Sequence, residues 1–129
     1  MNNQLQKLLD VYTEEKRAYE RILKTVATEK QALLDNRPLS EIIVLLQVKQ
    51  ELVREVELLD RSISREKERF KSSGRYLDAR ETLRLNDIIA ALKGIIEKIL
   101  AVERENETII LEYGGSENET ETLSVRDDG

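Results

Sequence analysis

Leu5, Tyr12, Tyr19, Val26 and Leu33 stand seven residues apart, with Leu8, Leu9, Ile22 and Leu23 beside them. Apolar residues at that spacing share one face of an α-helix but alternate between the two faces of a strand. The feature therefore predicts a long amphipathic helix, here over about residues 3–35. Glu15 and Lys16, then Glu29 and Lys30, stand where further Leu or Ile would complete the stripe. The expectation is that their methylene stems lie on the seam and their charges stay in water.

Two breaks divide the pattern. In "DNRPLS", Asp35 and Asn36 favour a turn, and Pro38 disfavours a helical conformation at Arg37. Ser40 reads as the N-cap of a second helix over 41–71, with Glu41 in its first turn and Leu39 and Val44 at staple spacing. In "KSSGR", Ser72, Ser73 and Gly74 stop that helix. A third restarts at "LDARE", where Asp78 and Glu81 have capping-box spacing and Thr82 and Asn86 are alternative caps. It runs over 78–112, with Gly94 in its interior as a site of close packing or a bend. Short connections make consecutive helices antiparallel neighbours. The expected fold is all-α: an elongated up-down-up three-helix bundle of long, antiparallel, coiled-coil-like helices over 1–112. An acidic, flexible C-terminal tail follows over 113–129.

The second helix has a seam of Ile42, Lys49, Val56, Ile63 and Phe70, with Leu45, Leu52, Leu59 and Glu66 alongside. Lys49 takes the place of an apolar knob. Either it fixes register at a cost in stability, so that Lys49→Leu raises the melting temperature, or it faces a partner.

Composition narrows function by exclusion. With 129 residues the chain is one domain, and it holds no Cys and no His. Disulfides, zinc fingers, thiol redox chemistry, His-dependent nucleophilic systems and Glu-x-x-His di-iron bundles are excluded. Carboxylate-only chemistry remains formally possible, but on helices this rich in charge the carboxylates read first as solvated faces. No enzymatic activity, metal or cofactor is expected. A net charge of -5 argues against nucleic acid as a partner. No apolar run reaches the length of a membrane span. "MNNQLQKLLD" lacks the basic-then-apolar order of a signal peptide, so the expected location is cytoplasmic.

The surface is uneven. Arg61, Arg65, Lys67, Arg69, Lys71 and Arg75 cluster at the end of the second helix, whereas the chain is acidic from Glu103 onward. The third helix carries a stripe wider than one seam needs, in which Ile95 with Ile96 and Ile99 with Leu100 are adjacent pairs. Val102, Ile109 and Ile110 extend it, and Asn106 interrupts it. Such a stripe is either core, buried by two neighbours, or an interaction surface.

The segment "LLDVYTEEKRAYERILKTVATEKQALLDNRPLSEIIVLLQVKQELVREVELLDRSI" resembles the FlgN-like flagellar type III export chaperones, small cytoplasmic long-helix proteins poor in His and Cys. Lys49, Gln50, Leu52, Asp60 and Arg61 match a Lys-Gln-x-Leu, acidic, Arg pattern of that family, and "LRLNDIIAALKGIIEKIL" adds an Asn followed by paired apolar residues. The likeness extends over about residues 5–110. It implies an export chaperone that binds the helical C-terminal segments of hook-associated proteins and keeps them export-competent. The partners are then those proteins and the export apparatus, met by helix-in-groove recognition. The contact residues expected on the third helix are Ile95, Ile96, Ile99, Leu100, Val102, Ile109 and Ile110. The alternative is a structural coiled-coil or assembly adaptor without catalysis, burying the same stripe in a homodimer.

Overall fold

A computed structural model describes residues 3–72 and 78–114. It is all-α: α1 (Asn3–Leu34), α2 (Leu39–Ser62), α3 (Ser64–Ser72) and α4 (Ala79–Ile109), with a π-helical turn at Ile110–Gly114. No strand occurs among the described residues, and none of their helices is long and apolar enough to cross a membrane. The break expected around Gly74 and the flexible tail expected beyond Gly114 lie outside the described residues.

The α1 terminus explains the first turn. Asn36 has φ 57°, left-handed backbone that Asn tolerates better than most residues. The Arg37 N–H donates to Ala32 O (2.9 Å) and the Asn36 N–H to Leu33 O (3.1 Å), a Schellman closure of the last carbonyls. Ser40 does not cap α2. The cap position falls on Pro38, at φ -58° and ψ 146°, with no side-chain cap bond. Proline's fixed φ makes it a ready entry point, and Ser40 lies inside the helix. Leu39 and Val44 are exposed and bury no staple. At α4 the expected capping box forms, and Asp78 rather than Thr82 or Asn86 is the cap. The Glu81 N–H donates to Asp78 Oδ1 (2.7 Å) and the Asp78 N–H to Glu81 Oε1 (3.2 Å).

The stretch expected as one second helix is two. Ile63 leaves helical geometry at φ -117° and ψ 16°, and α3 starts beyond it. Two serines flank this β-branched residue, and the Ser62 hydroxyl donates to Leu59 O (2.6 Å), competing with the helical ladder. Ile63 itself is fully buried. Lys67 Nζ bridges the break to Asp60 Oδ1 at 2.8 Å and Oδ2 at 2.9 Å.

Helix α1 is central. It packs along both α2 and α4, which scarcely approach each other. Glu15 lies beside Asp60, and Lys49 acts on Glu29, so α1 and α2 run in opposite senses. Asn106 bonds Val26 O and Lys30 pairs with Glu105, while Tyr12 shares a cavity wall with Leu85 and Ile89; α1 and α4 run in the same sense. Ala18, Ile22 and Val26 of α1 meet Leu52 and Val56 of α2 and Ile99 of α4 in one apolar layer. Each large side chain buried there is worth about 1.5–3 kcal/mol.

The buried face of α1 is broader than the expected line. Leu5 and Val26 of that line are buried, but Tyr12, Tyr19 and Leu33 are half-buried, and Leu8, Glu15, Ile22 and Glu29 are all buried beside them. Glu15 and Glu29 therefore do not keep their charges in water. They are 4% and 5% exposed, between apolar layers of the core. Gly94 lies in an unbroken α4, and nothing comes within 4 Å of where its Cβ would be, so it serves no close approach.

Candidate functional site

Two polar layers flank the apolar one. In the first, the Glu15 carboxyl is pushed up to about 7, chiefly by burial, then by the charge of Asp60 and hydrogen bonding to it, with Lys67 opposing. Its Oε2 is buried without a hydrogen-bond partner. Tyr12 and Tyr19 face the same group, and both phenols are raised, first by burial. Beside this layer a cavity of about 570 Å³ opens between α1, α3 and α4, walled by Leu8, Tyr12, Phe70, Leu85 and Ile89, with Lys67 and Lys71 among its lining.

The second layer sits between α2 and α4. Lys49 Nζ lies 2.8 Å from Glu103 Oε2, joining the two helices, with both side chains partly shielded. Burial raises the Glu29 carboxyl below them; Lys49 counters that and Glu103 adds to it. Asn106 is 3% exposed. Its Nδ2 donates to Val26 O (3.1 Å), while its buried Oδ1 accepts nothing. Glu29, Lys49, Glu103, Asn106, Glu107 and Ile110 line a cleft of about 260 Å³. No cluster of metal-binding side chains occurs among the described residues.

The seven expected contact residues are divided. Ile99 and Ile109 are buried, and Ile95 and Val102 pack against the apolar layer. Ile96 is half-buried, while Leu100 (45%) and Ile110 (43%) are exposed. Leu111 and, on α2, Ile43 and Val53 are exposed as well. Glu103 and Glu107 are not legible as site residues in the sequence, and Glu29 is not the solvated residue expected from it. Heptad spacing from Leu8 and Ile22 to Glu15 and Glu29 was the available signal. Nothing local to Glu103 or Glu107 marks them, because their setting depends on α2. Compared with known protein families, curated proteins and solved structures, the chain matches none.

Proposed function

We propose that this chain is a non-catalytic, cytoplasmic, helix-binding chaperone of the FlgN-like kind, built as an elongated up-down-up three-helix bundle with coiled-coil-like seams. Its cargo is the helical C-terminal segment of a flagellar hook-associated protein, held export-competent and passed to the export apparatus. One observation carries the reading. Exposed apolar side chains, Ile43 and Val53 on α2 and Leu100 and Ile110 on α4, stand on two helices that scarcely approach each other. An amphipathic helix laid over them buries its apolar face. The sequence likeness names the cargo class.

The test is capture of purified hook-associated proteins, with and without their C-terminal segments. Capture should require the segment. It should be lost in the double variant Leu100→Asp with Ile110→Asp, whose exposed positions leave circular dichroism and melting close to wild type. Failure of the wild-type chain to hold any hook-associated protein sinks the reading. The same exposed residues also favour the adaptor reading, in which a second copy covers them. A dimer in sedimentation equilibrium that the double variant converts to monomer, with no cargo bound, would establish that alternative.

A further inference from the structure

The cleft between α2 and α4 contains one ammonium, Lys49, and three carboxylates, Glu29, Glu103 and Glu107. Glu103 already engages that ammonium at 2.8 Å. Asn106 adds a buried acceptor, Oδ1, that nothing satisfies. The lining is thus short of positive charge, and one of its residues, Asn106, carries an acceptor without a donor.

The rim is of a different character. Leu46 and Val53 stand three residues before and four after Lys49, so they share its face of α2. Leu100 and Ile110, three residues before and seven after Glu103, share its face of α4. Leu46 is half-buried, and Val53 (42%), Leu100 and Ile110 are more exposed. An acidic centre therefore lies between apolar ends. At about 260 Å³ the cleft is smaller than the ~300–1,000 Å³ of small-molecule pockets. It suits the end of one long side chain, with the body of the ligand outside.

We propose that this cleft receives a lysine or arginine side chain carried on a partner's amphipathic helix, with apolar residues one turn to either side. The basic head lies between Glu29 and Glu107 and donates to Asn106 Oδ1, while the flanking apolar residues cover Val53 and Leu100 at one end and Leu46 and Ile110 at the other. Charge thereby selects among helices that apolar burial alone would accept equally, because a helix with an acidic residue at that position meets a surplus of carboxylates. The proposal rests on the helix-binding reading above but not on the identity of the cargo.

The experiment uses the full chain and three synthetic amphipathic helical peptides, identical except for Lys, Gln or Glu at the centre of the apolar face. Binding is read by fluorescence anisotropy at low and high salt. The Lys peptide should bind about tenfold tighter than the Gln peptide, as expected of one added charge-assisted contact. The Glu peptide should be weakest, and the spread should narrow with salt. Glu107→Gln and Asn106→Leu should each reduce the preference for Lys. Glu107 is exposed, so that variant keeps the test valid if a change at buried Asn106 disturbs folding. Equal binding of all three peptides overturns the choice of a cation while leaving helix binding in place. Binding of none overturns the cleft as a receptor, and hook-protein capture, scored separately, then decides whether the chaperone reading falls with it.

Discussion

Glu15 and Glu29 are two heptads apart on one helix and equally buried, yet their surroundings treat them differently. Glu15 lies beside a second carboxylate, Asp60, whose cation Lys67 is spent in a two-oxygen bridge across the α2–α3 break. Glu29 lies beside a cation, Lys49, that faces it from α2. The first layer favours a proton on its buried glutamate near neutral pH. The second holds more carboxylates than cations, a surplus that one more cation would reduce. A buried carboxyl on a helical seam is therefore not one kind of device; its neighbours on other helices decide whether it is driven to take up a proton or is offset by a cation.

The sharpest break of that contrast is Glu15→Gln. A folded-state pKa of about 7 against the ordinary 4.5 means that the folded chain holds a proton the unfolded chain has released between those values. Stability should fall as pH rises through that window and level off above it. Glutamine keeps a donor toward Asp60 and carries no charge. Glu15→Gln should raise stability at pH 8 by on the order of 2 kcal/mol, little at pH 4.5, and flatten the slope between. Glu29→Gln should act in the same direction but more weakly, since Lys49 offsets burial there. Urea melts of both variants across this pH range, compared with wild type, check the pair; equal slopes would erase the distinction.

Lys49→Leu probes the second layer. The expectation of a register residue whose replacement raises the melting temperature changes sign once Glu29 and Glu103 are placed beside it. Removing the cation leaves carboxylates facing each other, and at pH 8 stability should drop by about 1–2 kcal/mol, less than for a fully buried pair because Lys49 and Glu103 keep some water. The loss should shrink toward acid as Glu29 takes up a proton. A variant that is more stable at both ends of the range would restore the register reading.

The smallest effect calibrates the others. Gly94→Ala touches neither carboxylate layer and has open space for its Cβ. It should stabilise by about 0.5–1 kcal/mol through helix propensity, by the same amount at every pH. Thermal melts at pH 5 and pH 8 check this, and a pH-dependent gain would show that α4 transmits changes to the polar layers.

Local chemistry was enough, in the sequence alone, to place α1 and α4, the turn at Asn36 to Pro38 and the capping box of Asp78 with Glu81. Each depends on residues within a few positions of one another, through φ preferences, side-chain bonds to nearby N–H groups and the 3.6-residue period. The break at Ile63 was only half legible, since "SIS" signals weak helix formation but burial of Ile63 is what holds the chain there. The tertiary structure decided which residues of the α1 stripe face inward. A stripe about 100° wide leaves adjacent lines nearly equivalent until two other helices pack on it. That choice put Tyr12 and Tyr19 at the flank and Glu15 and Glu29 in the core. It also brought Lys49, Glu103 and Asn106 to one cleft, because electrostatic fit between residues more than fifty positions apart exists only once the helices carrying them are side by side.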